Sequence, residues 1–207
     1  MKHARTSGEH SVTSNESLTA AYAQRLSAFY QSRWRRYLGV QLPYRWNLRR
    51  IALGSTLEVG CGTGRNLRHL HGRVVGVDPN LACVEAARGF GLEALTPEEF
   101  AARYPEAAFD SLLFSHVLEH CREDETTELV GRYLPYLRPA GRVIFETPQE
   151  AGFRSDATHV NFVTDQGLAA LCDRLGLVVS KSYSFPFPRW VGRVFRFNEF
   201  VVVATRP

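Results

Sequence analysis

A glycine run that follows an acid, Glu58-Val59-Gly60-Cys61-Gly62-Thr63-Gly64, constrains this chain more than any other stretch. Apolar Ile51, Leu53, Leu57 and Val59 lead into it. Arg65, Asn66, Leu67, Arg68, His69 and Leu70 follow as an expected helix start. The pattern is strand, glycine turn, helix. Glycine allows backbone angles and a close approach that a side chain would block. A helix start would offer unpaired N–H groups to a polar ligand. Fourteen residues beyond Gly64, the run Val74-Val75-Gly76-Val77 ends on Asp78, a second strand with an acid at its tip. An acid there suits ribose hydroxyls held across the crevice of an open sheet.

Two common phosphate-binding patterns are excluded. A dinucleotide fingerprint needs Gly-x-Gly-x-x-Gly, and counting from Gly60 its third glycine falls on Arg65. A P-loop needs a lysine after its last glycine, and none follows Gly64.

The segment from Glu58 to Gly64 resembles the first motif of the class I S-adenosylmethionine-dependent methyltransferases, and Val74 to Asp78 resembles the second. Phe109 to His120 is similar to that family's fourth-strand motif, and Leu137 to Val143 to the turn into its fifth strand. Thr158-His159-Val160-Asn161-Phe162 resembles a segment of the small, ubiquinone-methyltransferase-like branch (type 11/12-like). The resemblance implies a Rossmann-like α/β fold. Its sheet would have seven strands, mostly parallel with an antiparallel last one, and helices on both faces. It implies S-adenosylmethionine as cofactor, with Glu58, Gly60, Cys61, Gly62 and Gly64 at its amino-acid end. Asp78 would hold the ribose with Pro79 at its edge, and Leu92 and Glu93 would lie by the adenine. Phe114 and Ser115 end the fourth strand, where ligands of open sheets bind, and would border the transferred methyl. A core position for Phe114 and a helix-cap role for Ser115 stay open.

Residues 1–16 read as a polar tail, and residues 17–207 as one methyltransferase domain with 17–50 as a helical cap. Within the cap, helices are expected over 18–39 and 44–50. Alternating units follow: strands at 55–59, 73–77, 91–95, 109–114, 141–146, 177–183 and 199–205. Helices are expected at 64–70, 81–88, 123–137 and 164–175, and from Thr96, where Pro97 and Glu99 complete a capping box. Such alternation indicates a mostly parallel sheet covered on both sides.

Methyl transfer needs a nucleophile oriented opposite sulfur and kept deprotonated. His116 and His159 are the candidate catalytic residues. His116, Glu119 and His120 are spaced to share one side of a helix. That stretch resembles the Glu-x-x-Glu-His motif by which some quinone-forming O-methyltransferases hold magnesium. His116 stands where that motif has Glu, so no metal site is assigned. His120 reads as a structural hydrogen-bonding residue. For His159, a base role and a loop-anchoring role both stay open. The aromatic stretch of Tyr183, Phe185, Phe187, Trp190, Phe195, Phe197 and Phe200 reads as core, an acceptor wall, a dimer face or a peripheral membrane contact.

The 207 residues and 44% hydrophobic content suit a single domain with a full core. Residues 17–57 carry seven arginines and no acid, but no recognised nucleic-acid module accompanies them. No apolar run approaches the roughly 18 residues that span a bilayer, and Lys2 and Arg5 lack an apolar signal core behind them. Four scattered cysteines without a Cys-x-x-Cys pair suit reduced thiols in the cytoplasm. The expected function is methyl transfer to a small molecule, by analogy to an oxygen nucleophile. A protein or RNA methyltransferase is the alternative enzyme. The non-enzymatic alternative is a protein that binds S-adenosylmethionine, or another partner, without turnover.

Overall fold

The structure, a computed structural model, describes residues 41–52 and 54–207. The expected tail, the helix over 18–39 and Leu53 lie outside the described residues.

Helix α1 (Leu42–Ile51) precedes β1 (Thr56–Val59), β2 (Val74–Val77) and α2 (Leu81–Gly89). Then come β3 (Ala94–Leu95), α3 (Pro97–Arg103), β4 (Phe109–Ser115) and α4 (Glu123–Tyr133). Strand β5 (Leu137–Pro148), α5 (Glu150–Phe153), α6 (Asp165–Arg174), β6 (Val178–Phe185) and β7 (Glu199–Thr205) complete the order. The seven strands form one sheet ordered β3-β2-β1-β4-β5-β7-β6. Strands β1 to β5 pair in parallel, while β7 runs antiparallel to β5 and β6. This is the expected Rossmann-like architecture. The chain leaves β1 towards β2 on one side and returns to β4 on the other. That switch point opens a crevice above their C-terminal ends, where open α/β sheets bind ligands.

Side-chain alternation along the strands divides the core. Leu57, Val59, Leu112, Phe114, Val143 and Phe145 face one buried cluster. Leu113, Ile144, Val201 and Val203 face the other, against Leu48 and Ile51 of α1. Glu58 pairs across the strands with Leu113, so its side chain shares the face covered by α1. The Tyr44 hydroxyl donates to the Phe197 carbonyl at 2.7 Å, and the Tyr183 hydroxyl to Asn47 Oδ1 at 2.7 Å. Helix α1 is thereby fastened to β6 and to the β6–β7 connection.

Caps form where the sequence places them. Asn80 Oδ1 accepts from the Ala82 N–H, Thr96 and Glu99 make the capping box, and Thr164 caps α6. Four expectations are corrected. Residues 64–70 form successive turns rather than an α-helix. Gly64 has a positive φ of 81°, the Asn66 side chain is drawn back to Glu58, and a single helical rung, the Leu70 N–H to the Asn66 carbonyl at 3.1 Å, is not continued. No α-helix follows β4 directly: a 3-10 turn, Leu118–His120, intervenes. Helix α4 ends at Tyr133 because Pro135 lies in the next 3-10 turn, Leu134–Tyr136. Strand β5 begins early, and its residues 138–140 loop outward, with Ala140 at φ 58°, before regular pairing resumes at Ser111–Arg142.

Gly76 is where β2 and the glycine turn meet. A Cβ built there would stand 2.6 Å from Cys61 Sγ and 2.8 Å from Leu67 Cδ1. Overpacking of this kind costs about 1–3 kcal/mol. Gly76→Ala is therefore expected to lower stability by about that amount, read from the urea unfolding midpoint. An unchanged midpoint would contradict this packing.

Candidate functional site

A cavity of about 510 Å³ opens above the C-terminal ends of β1, β4 and β5. That falls within the usual span for small-molecule sites, about 300–1,000 Å³. Three backbone layers frame it: the glycine turn, the 3-10 turn after β4, and the loop of residues 155–159.

On the β1 side, Glu58, Gly60, Cys61 and Gly62 line the cavity. Gly60 holds a φ of 74°, and a Cβ there would stand 2.6 Å from Val117 Cγ2. Glu58 is 2% exposed. Its Oε1 accepts from Asn66 Nδ2 at 2.7 Å, whereas its buried Oε2 has no hydrogen-bond partner among the described residues. Burial pushes the Glu58 carboxyl up from 4.5 to about 8, against the Asn66 hydrogen bond and the Arg65 charge.

Asp78 sits at the tip of β2. Its Oδ2 accepts from the Gly62 N–H at 2.8 Å and its Oδ1 from the Asn80 N–H at 2.9 Å. Those bonds lock the acid to the glycine turn and oppose the upward shift that burial imposes on its pKa. Each oxygen retains further acceptor capacity.

The β4 side carries Ser115 and His116. The Ser115 hydroxyl donates to Glu146 Oε2 at 2.7 Å. His116 adopts a left-handed backbone, φ 55°, and its N–H donates to the Glu146 carbonyl at 2.9 Å. A non-glycine residue with positive φ is uncommon. Here it turns the ring between two carboxylates: Nδ1 lies 3.1 Å from Glu119 Oε1 and Nε2 lies 2.8 Å from Glu199 Oε1. Burial disfavours charge on His116, but Glu199 and Glu119 together outweigh it and hold the pKa well above 6.5. Glu119 moves the opposite way. Burial would raise it, yet the hydrogen bond and charge of His116, with the charge of His120, hold it below 4.5. Burial, then the charge of Glu199, pushes Glu146 up to about 7.

His159 lies across the cavity on the loop after α5. Its Nδ1 is 2.9 Å from the Phe153 carbonyl, so that nitrogen donates, and Nε2 is 4.0 Å from Glu119 Oε1. The loop is fixed to the 3-10 turn, because the N–H groups of Val160 and Asn161 both donate to the Glu119 carbonyl, at 2.9 and 3.1 Å.

Of the residues expected at the site, Glu58, Gly60, Cys61, Gly62, Ser115, His116 and His159 line one cavity. Asp78 joins them through Gly62. Gly64 instead backs onto Leu92, which packs on the cluster below the turn. Pro79 is exposed. The Glu93 carboxylate faces Tyr104, whose hydroxyl donates at 2.5 Å, and Arg103 at 3.2 Å. Phe114 is fully buried and stacks on Phe145 with ring centroids 5.5 Å apart, because strand alternation turns it into the core and Ser115 towards the cavity. His116 does not fit the expected base role, since a carboxylate engages each ring nitrogen. Of the aromatic stretch, Phe197 lines the cavity; Phe200 is core and Trp190 is 69% exposed.

Sequence reasoning missed Glu146 and Glu199. Both flank apolar strand runs, and the strand-tip argument that identified Asp78 applies equally to Glu146. Glu199 becomes visible only once β7 is known to run antiparallel beside β5. No helix among the described residues is long and apolar enough to cross a membrane.

Residues 26–182 match the profile of a family described as "Methyltransferase domain". No curated protein matches the chain. Among solved structures, a complex described as DhpI–SAM–HEP is similar at 19% identity, covering 98% of this chain and 100% of that one, with a TM-score of 0.67. A SAM-dependent methyltransferase from Archaeoglobus fulgidus is similar at 19% identity, covering 86% and 100%, with a TM-score of 0.64. One described as S-adenosylmethionine dependent, from Mesorhizobium loti, is similar at 17% identity, covering 80% and 97%, with a TM-score of 0.59.

The Glu58 shift has a defined sign. An unfolded glutamate ionises near its ordinary value, whereas the folded site keeps its proton until about 8. Between those values the folded state binds more protons, so stability falls as pH rises. Relative to Glu58→Gln, the parent should lose on the order of 1–3 kcal/mol between about pH 5.5 and about pH 8. Urea unfolding at both pH values measures it, and Glu146 titrates in both proteins. A difference that does not change with pH would refute the burial of an ionisable Glu58.

Proposed function

The chain belongs to the methyltransferase-domain family, and on that premise we propose that it transfers a methyl group from S-adenosylmethionine to a small-molecule acceptor, through an oxygen nucleophile. One observation carries the reading: the tips of β1 and β2 bring the buried acids Glu58 and Asp78 to the same glycine turn, joined by the Gly62 N–H to Asp78 Oδ2 bond.

The residues fit that donor. Glu58 keeps a buried, unpartnered Oε2 in the cavity wall, an acceptor suited to an ammonium group. Asp78 retains acceptor capacity for the ribose hydroxyls, with exposed Pro79 beside it. Gly60 and Gly62 keep the turn free of side chains. Cys61 lines the turn, and Gly64 with Leu92 supports it from beneath; Leu92 also borders the adenine edge. Glu93, engaged by Tyr104 and Arg103, and Phe114, packed in the core, are set aside as ligand contacts. When bound, S-adenosylmethionine supplies a methyl group on a sulfonium that departs as a neutral thioether.

The chain's own residues then position the acceptor. Glu58, Glu119 and Glu199 line the cavity as carboxyl groups that a cation could pair with, in a lining that also holds the cationic side chains of Arg65 and Arg196. His116, held charged between Glu119 and Glu199, organises those carboxylates rather than accepting a proton. Ser115 and Glu146 stand beside the tip of β4 at the reacting centre. His159, with Nδ1 engaged by Phe153, is the candidate catalytic residue whose Nε2 meets the acceptor oxygen. The cavity of about 510 Å³, which the donor's amino-acid end would share, lies in the range of small-molecule sites. The likeness to the ubiquinone-methyltransferase branch rests on residues 158–162, which form the acceptor side.

Charge-assisted hydrogen bonds contribute about 1.5–3 kcal/mol each. Asp78→Ala should therefore weaken S-adenosylmethionine binding about 10- to 100-fold in calorimetry, with native circular dichroism retained. Equal affinity in a folded variant would remove the ribose role. Because burial raises the Glu58 pKa to about 8, binding of the cationic donor near pH 7 should release a proton. The binding heat should then vary with the ionisation heat of the buffer, and a buffer-independent heat would count against Glu58 as the ammonium partner.

A further inference from the structure

Glu119, His120 and His159 each offer one ligand atom, and these atoms lie within 4.8 Å of one another at the cavity wall. The three come from two segments already bound together by the Val160 and Asn161 bonds to the Glu119 carbonyl. The hydrogen bonds behind the two imidazoles fix their tautomers. Thr158 Oγ1 gives its own proton to Asp156 Oδ1 at 2.8 Å, so it accepts from His120 Nδ1 at 3.2 Å, as does the Thr158 carbonyl at 3.2 Å. His159 Nδ1 donates to the Phe153 carbonyl at 2.9 Å. Both rings therefore present an Nε2 lone pair. Imidazoles that ligate metals are held in this way, by donating the other N–H to a carbonyl or similar acceptor. A second observation is independent of the histidines. Glu119 is completely buried, and its Oε2 has no hydrogen-bond partner among the described residues.

We propose that Glu119, His120 and His159 form a binding site for a divalent transition ion of the zinc class on the acceptor side of the cavity. Two imidazoles and one carboxylate suit such an ion better than magnesium, which prefers oxygen ligands. This set differs from the sequence-adjacent grouping of His116, Glu119 and His120. His116 spends both ring nitrogens on Glu119 and Glu199, and His159 from the loop takes the third place. Ligand atoms around tetrahedral zinc lie about 3.3 Å apart for bonds of about 2.0–2.1 Å. Binding thus draws the three ligand atoms inward from separations of up to 4.8 Å. Three protein ligands leave an open coordination position, at which the ion would take up an acceptor oxygen; His159 Nε2 would then hold the ion when it is bound and meet the acceptor directly only without it. In that respect the inference rests on the functional reading above.

The test uses the full chain, stripped with chelator and titrated with Zn²⁺ alone, then with Co²⁺ alone, in the absence of donor and acceptor. Expected is one ion per chain, with affinity reduced at least about tenfold by His120→Gln and by His159→Gln. His71→Gln, at an exposed histidine remote from the cavity, should bind like the parent. Independently of any variant that fails to fold, Co²⁺ on the native chain should show d–d bands without a thiolate charge-transfer band, and Mg²⁺ should not displace it. Absence of saturable binding, affinity unaffected by both substitutions, or a thiolate band would overturn the site. Binding of the ion by a chain that ignores S-adenosylmethionine would leave this inference standing and sink the methyltransferase reading. The reverse pattern would do the opposite.

Discussion

Three buried carboxylates in one cavity wall, with a fourth behind Ser115, set the terms for everything at this edge of the sheet. Glu58, Glu119, Glu146 and Glu199 are each at most 7% exposed. Such burial is costly unless the charge is neutralised, paired or hydrogen-bonded. The structure uses all three means. His116 is paired with Glu119 and Glu199, while Glu58 and Glu146 are pushed toward their neutral forms by burial. Asn66 and Ser115 each satisfy one oxygen of that second pair. The site is balanced in this arrangement, and a cation entering it shifts the balance in favour of ionisation.

The left-handed backbone at His116 belongs to the same arrangement. Positive φ in a residue with a side chain persists where its surroundings over-determine it. Here the backbone N–H extends the β4–β5 pairing to the Glu146 carbonyl, and the two carboxylates hold the ring. Topology makes this available: β7 runs antiparallel beside β5, which delivers Glu199 at the start of its strand to the same edge as Glu146 near the end of its own.

What the sequence made legible follows from how local each signal is. Strand β7, the caps at Asn80, Thr96 and Thr164, and the paired acids Glu58 and Asp78 depend on a few neighbouring residues. The turns over residues 64–70 carry a helical pattern, because the pull of Glu58 on Asn66 is invisible in a linear sequence. Phe114 and Ser115 are adjacent, and only the register against β1 decides which meets the core and which the cavity. The roles of His116 and His159 depend on Glu199 and Phe153, 83 and 6 residues away from them. Spacing alone does not show these partners, and the fold gives the two histidines different ones.

The aromatic stretch reads equally as core, acceptor wall, dimer face or membrane contact, and polar anchoring explains how little of it reaches the cavity. Asn198 is fully buried, and its Nδ2 donates to Gln149 Oε1 and Ser184 Oγ at 3.0 and 2.9 Å, while its Oδ1 accepts from the Phe187 N–H. Those bonds fold the β6–β7 connection back on itself, so Phe187, Phe195 and Phe197 contact one another edge to face. Phe197 and Arg196 reach the cavity from it. Among the described residues, this wall of the cavity is therefore built chiefly from histidine, carboxylate and loop backbone. A surface of that chemistry suits oxygen or nitrogen functions on a ligand, and among the described residues Phe197 is the one phenylalanine that lines it.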